Sequence, residues 1–194
     1  MDKRIIKTRQ AIEDAYFKLL KDNDSSKITI TNIAKEANID RKTFYLHYHN
    51  VDEIINNFFQ KEHNKFVSLI TNGDDFYSIL TNQNLINCLN KTVEENFDKI
   101  KILASKRGYD YLWNEMIKRL TDILVDHYKS EFKTDEIQFR IYIQYYICAT
   151  INVYLSWVKG ELPITIDQLG ELTNNAAIEG AKKIYNKHVI KKVP

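Results

Sequence analysis

Thr29-Ile30-Thr31-Asn32-Ile33-Ala34-Lys35-Glu36-Ala37-Asn38-Ile39-Asp40-Arg41-Lys42-Thr43-Phe44-Tyr45-Leu46-His47-Tyr48 is the stretch that decides the fold. Thr29 stands before an apolar-periodic run and suits an N-cap, so a short helix is expected from Ile30 to about Ala37. Asn38 ends it, because asparagine tolerates left-handed backbone better than most residues. Asp40 then caps a third helix, Arg41 to about His47. Two short helices joined by a tight turn make a helix-turn-helix. Ile33, Ala34, Ala37 and Ile39 are apolar where the pair must meet, and the two alanines permit a close, steep crossing. Phe44 and Tyr48, four residues apart, give the third helix an aromatic face to anchor on a core. Its other face carries Arg41, Lys42, Thr43, Tyr45 and His47. These are donors at the N-terminal end and flank of a short helix, the part that enters a major groove.

Working outward, residues 4–21 read as a first helix with Ile5, Ile12, Tyr16, Leu19 and Leu20 near one face and Lys7, Arg9, Glu13 and Asp14 elsewhere. The polar run from Asp22 to Ser26 stops it. A fourth helix starts after Asn50-Val51-Asp52-Glu53, with acidic groups at its positive end, and runs to Asn72-Gly73. Further helices are expected at about 75–81, 83–97, 99–106, 109–131, 135–159 and 167–189, with Gly160 and Pro163 punctuating the last long pair. No segment alternates with period two, so no sheet is expected. With five glycines and two prolines in 194 residues, sandwiches and barrels are disfavoured. The fold class is all-α. A helix-turn-helix domain is expected over residues 1–50 and a helical domain over 51–194.

The 44% hydrophobic content provides for a core and excludes wholesale disorder. Net charge is only +2, but residues 1–49 carry ten Lys/Arg against seven Asp/Glu, a mild basic bias where nucleic acid would be read. Cys88 and Cys148 cannot build a disulfide framework and read as reduced core residues. His63 and His127 have no ligand partner at helical spacing, so no metal is expected, and no cofactor either. There is no Gly-rich phosphate loop, nucleophile elbow or His/Cys cluster, so the chain does not read as an enzyme. Ile141 to Val158 lacks charged side chains and reaches about the minimum membrane-spanning length. It also holds Gln144, Thr150, Asn152, Ser156 and four tyrosines, which suit a helix–helix seam better than lipid. With no apolar leader in MDKRIIKTRQ, the expectation is a cytoplasmic protein that does not enter a membrane.

Residues 4–60 resemble the DNA-binding domain of the TetR family of transcriptional regulators. The resemblance rests on the helix holding Thr29-Ile30, Ile33-Ala34 and Ala37, the Ile39-Asp40 turn, Thr43-Phe44-Tyr45 and His47-Tyr48. It implies a homodimer that binds a double-stranded, palindromic DNA operator and has a helical C-terminal domain for dimerisation and effector sensing. It assigns Arg41 and Lys42 to base edges, Thr43 to a base or nearby phosphate, and Tyr45 and His47 to phosphates. Thr29 is placed where the N-terminal amides of the second helix face a phosphate. Three positions depart from the family pattern: Asn38 replaces the usual glycine, Asp40 replaces a Ser or Thr cap, and Val51 replaces a phosphate-binding lysine. These departures and the modest charge motivate a competing reading, a helical protein-binding co-regulator module that no longer reads DNA.

The C-terminal half is loosely similar to the TetR subgroup that includes the dihydroxyacetone-kinase operon regulators, through Leu103-Ala104-Ser105, Gly108-Tyr109, Leu112, Met116-Ile117 and the run from Tyr154 to Pro163. One branch of that subgroup answers to a protein, so the effector is left open as a small molecule or a protein. A pocket is expected between the helices at 83–131 and 135–159, with Tyr109, Tyr111, Trp113, Tyr142 and Tyr145 as candidate wall residues. For the dimer seam, Tyr146, Thr150 and Val153 are expected to meet a partner, opposite the small residues Ala176, Ala177, Gly180 and Ala181. The mechanism follows from spacing. Two recognition helices must sit about 34–36 Å apart, and an effector that moves the long fourth helix changes that spacing and releases the operator, with repression as the family default.

Overall fold

Local side-chain chemistry sets the ends of the first four helices. The structure is a computed structural model and describes residues 3–72, 75–76, 83–131 and 135–188. Helix α1 runs Lys3–Asp22 and is followed by a single 3-10 turn, Ser25–Lys27. Helices α2 (Ile30–Glu36), α3 (Arg41–Tyr45) and α4 (Asp52–Thr71) follow. Thr29 and Asn32 form a reciprocal cap on α2, the Asn32 N–H donating to Thr29 Oγ1 at 3.2 Å. At the start of α4 the Glu53 N–H donates to Asn50 Oδ1 at 2.9 Å, and the Glu53 carboxylate accepts the His49 N–H at 2.8 Å.

The chain divides into two compact units, Met1–Lys61 and Glu62–Pro194. The division falls within α4 and not between residues 50 and 51. The reason is that the first half of α4 supplies core to the first unit: Ile54, Ile55 and Phe58 are buried, and the Phe58 ring meets Phe17 edge-on at 5.3 Å. Ile12, Tyr16, Leu20, Ile33 and Phe44 complete that core. Two expectations for α1 fail. Ile5 is exposed and Glu13 is buried.

In the second unit the described helices are α5 (Gln83–Glu95), α6 (Phe97–Ser105), α7 (Asp110–Tyr128), α8 (Glu136–Val158) and α9 (Ile166–His188). No strand occurs among the described residues. Helix α8 packs along α7 and α6, while α9 packs on α5. The core joins Phe66 and Ile70 of α4, Leu120, Leu124 and Tyr128 of α7, and Phe139, Ile143 and Ile147 of α8. The Tyr128 hydroxyl donates to the Ile70 carbonyl at 2.7 Å, satisfying a carbonyl at the C-terminal end of α4. The break between α5 and α6 sits at Asn96, whose amide turns back to the Thr92 carbonyl at 2.9 Å. Gly160 takes φ +82° in the turn after α8, which only glycine adopts without strain. Most of the helix expected at 75–81 lies outside the described residues.

One close approach has no counterpart in the sequence reading. A Cβ on Gly170 of α9 would lie 2.8 Å from Ile86 Cγ2 and 2.9 Å from Asn90 Nδ2. Asn90 is itself held: its amide donates to the Ile166 carbonyl at 3.3 Å and accepts from the Tyr154 hydroxyl at 2.6 Å. A glycine disfavours a helix interior by about 1 kcal/mol relative to alanine, so its use here follows from the packing of α9 on α5.

Candidate nucleic-acid interface and interior cavity

The turn between α2 and α3 is built by backbone bonds. Ile39 N–H donates to the Ala34 carbonyl at 2.9 Å and Asn38 N–H to the Lys35 carbonyl at 3.2 Å, with Asn38 at φ +53°. This is the hydrogen-bonded helix stop that glycine usually serves, and asparagine fills it here. Asp40 starts α3 by accepting the Thr43 N–H at 2.6 Å. That bond holds the Asp40 carboxyl below its ordinary pKa, so the cap is ionised at neutral pH.

Phe44 is fully buried and Tyr48 nearly so, their rings 5.9 Å apart. The helix has one turn to spend, so burying Phe44 forces its neighbours outward. Arg41, Lys42 and Tyr45 are exposed, Thr43 and His47 are half-buried, and Thr29 is exposed. Burial, followed by the nearby Arg9 charge, lowers the His47 pKa, leaving its imidazole neutral at physiological pH.

The sequence reading missed two residues here. Arg9 of α1 donates from its guanidinium to the His47 carbonyl at 3.5 Å and lies over the Tyr48 ring at 5.6 Å, clamping the end of α3. The signal for it was its position one turn before Ile12, hidden by the assumption that charges face water. Leu46 is 74% exposed beside Tyr45.

The second unit holds a partly open cavity with a volume of about 120 Å³. Phe66 and Ile70 of α4 form one wall, and Leu85, Ile86 and Leu89 of α5 another. Helix α7 adds Met116, Leu120 and Leu124, and α8 adds Ile143, Tyr146, Ile147, Thr150 and Ile151; Phe76 and Asn174 complete it. None of the aromatic residues expected to line a pocket lines this cavity. Tyr109 is buried at the start of α7, Trp113 and Tyr142 are half-buried away from the void, Tyr111 is exposed and Tyr145 is 77% exposed. The Tyr142 hydroxyl accepts from Gln138 on the outer side of α8. The reason is that α8 is apolar on all sides, so residue type alone does not distinguish its inner face.

The residues expected at the dimer seam are placed as follows. Tyr146 and Thr150 line the cavity, and Ala177 is buried within its own unit. Val153 and Gly180 are exposed, and the side chain of Ala181 lies outside the described residues. The exposed apolar row of α8 is instead Ile137, Ile141, Tyr145, Ala149 and Val153, at intervals of four; on α9 it is Leu172, Ala176 and Gly180. Cys88 and Cys148 are free and half-buried. Among the described residues no group of three His, Cys, Asp or Glu could hold a metal ion, and no helix is long and apolar enough to cross a membrane.

No family model matches the chain. Its residues are 26% identical over 141 positions to DhaS, the HTH-type transcriptional activator of the dhaKLM operon from Lactococcus lactis, covering 70% of this chain and 71% of that one. They are 33% identical over 72 positions to the uncharacterized HTH-type transcriptional regulator YxbF of Bacillus subtilis. That match spans 37% of this chain and only 19% of YxbF. In structure, DhaS superposes with a TM-score of 0.64 at 21% identity, over 92% of this chain and 98% of its own. A TetR transcriptional regulator from Streptococcus agalactiae superposes with a TM-score of 0.57 at 25% identity, over 91% and 96%.

Proposed function

We propose, from the premise that this chain has the fold of the TetR-family transcriptional regulators, that it binds a palindromic DNA operator as a homodimer and releases it when an effector occupies the second unit. The observation that carries the reading is α3: a one-turn helix, capped by Asp40 and pinned by Phe44 and Tyr48, that sets Arg41, Lys42 and Tyr45 outward. Arg41 and Lys42 read base edges, Thr43 a base or phosphate, and Tyr45 and His47 the backbone. The exposed end of α2 at Thr29 faces a phosphate with its amides. The exposed rows of α8 and α9 form the dimer seam, burying side chains such as Ile141 and Leu172 that water would otherwise meet. Helix α4 belongs to both units and passes the state of the cavity to the reading head.

Repression is the direction proposed. Activation is the second reading, favoured by the similarity to DhaS, which is an activator.

The test is binding of palindromic promoter fragments, titrated with salt. A dimer touching several phosphates loses affinity steeply as salt rises; affinity flat with salt would overturn the reading in favour of the protein-binding module. Arg41→Ala should weaken the preferred operator by about 1–3 kcal/mol and relax preference at one base pair. Tyr45→Phe should weaken all sequences alike. A reporter fused to the bound promoter separates repression from activation.

A further inference from the structure

The cavity of the second unit has a wall of one chemical character. Its lining is almost wholly hydrocarbon, and the polar side chains on it are Tyr146, Thr150 and Asn174, all uncharged. No Lys, Arg, His, Asp or Glu lines it among the described residues. An ion entering such a site leaves its hydration shell and meets no counter-charge, a loss that apolar contact does not recover. An uncharged alkyl or alicyclic body loses nothing of the kind and gains from every apolar atom removed from water.

The void is also too large to be a packing defect. Protein interiors hold few voids larger than a water molecule, and this one has a volume of about 120 Å³. A dry apolar cavity costs stability in proportion to its volume, so a chain that keeps one forgoes stability that larger side chains at Leu120 or Ile147 would restore. Met116 and the leucines of the wall can change rotamer to follow a flexible chain.

From the cavity's wall and size, the geometry points to an uncharged, mainly aliphatic small molecule, such as a fatty alcohol, aldehyde or ester, as the ligand of this site, with carboxylates, phosphates and amines excluded. This deepens the effector reading above and rests on it for its regulatory meaning. The three uncharged polar groups then orient a hydroxyl or carbonyl end. Burial pushes the Tyr146 hydroxyl up to about 12, so it stays neutral.

The experiment uses the full chain and the neutral fluorophore N-phenyl-1-naphthylamine, followed by displacement with decanol, decanoate and decylamine. Saturable fluorescence, displaced by decanol at concentrations at least about tenfold below those needed for the two ions, is expected. Displacement by decanoate as readily as by decanol overturns the charge assignment, and absence of saturable binding overturns the site. Probe affinity should be level from about pH 6 to pH 9, because no lining group titrates there; a step in that range counts against the proposal. Leu120→Trp, which fills the void, should abolish probe binding. Should that variant fold poorly, Ile147→Phe is the milder filling, and its thermal midpoint shows that the fold is kept; retained binding in a folded variant overturns the location. Binding is read without DNA, and salt-dependent operator binding is measured on the same ligand-free preparation. Operator binding without probe binding sinks the ligand class and spares the regulator, and the reverse result sinks the regulator and spares the cavity.

Discussion

The two units obtain their functional surfaces by opposite routes. In the first, each decisive side chain is fixed by a neighbour a few residues away: Thr29 by Asn32, Asp40 by Thr43, and the outward set Arg41, Lys42 and Tyr45 by the inward pair Phe44 and Tyr48. In the second, the decisive contacts join distant parts of the chain. Tyr154 meets Asn90 across 64 positions, and the cavity wall draws on five helices and more than a hundred residues of sequence. Short-range capping gives a surface that tolerates little substitution of type. Long-range packing gives one that tolerates changes of type but not of volume.

That contrast can be broken, and the largest effect should come first. Phe44→Ala removes the anchor of α3 and leaves a cavity in the smaller core, at a cost of about 3–5 kcal/mol. Denaturation followed by near-ultraviolet signals, together with operator binding, should show both stability and DNA affinity lost. A stable variant with intact affinity would mean that the caps alone hold the reading head.

Gly170→Ala tests the second unit. Added to an open helix, the methyl would stabilise; here it drives into Ile86 and Asn90 and should destabilise by about 1–3 kcal/mol. Thermal unfolding measures it, and operator affinity at low temperature should be unchanged. A rise in midpoint would show that α9 shifts away from α5 at no cost.

The smallest effect belongs to the turn. Asn38→Ala should cost about 1 kcal/mol, because alanine lacks the side-chain bonding that lets asparagine hold φ +53°. Asn38→Gly should be neutral or slightly stabilising. Urea midpoints with unchanged slopes would check both. Equal behaviour of the two variants would remove backbone conformation as the reason for the residue.

The helix order and nearly every helix boundary were legible, because caps and breakers act within a turn of where they stand. The outward face of α3 was legible for the same reason: five residues and two buried aromatics leave one orientation. Arg9 and Glu13 were misread because α1 was taken as half wet, although both lie on the side that meets its neighbours. The division into compact units within α4 was not legible, because α4 reads as one helix and its two halves join different cores. Which face of α8 is buried and which exposed was not legible. A 23-residue helix that is apolar all round has no preferred side in sequence, so Tyr146 and Tyr145 are equivalent until neighbours bury one and leave the other in water.

Sequence by itself determined that this chain is helical, where its helices start and stop, and which side chains α3 turns outward, since backbone hydrogen bonding and capping are local. Tertiary structure alone decided which face of α8 looks into the cavity, that α9 needs glycine at position 170, and that the described residues of the cavity wall carry no charge. Those properties depend on the distance between atoms remote in the chain, and the order of residues does not encode that distance until the helices have packed.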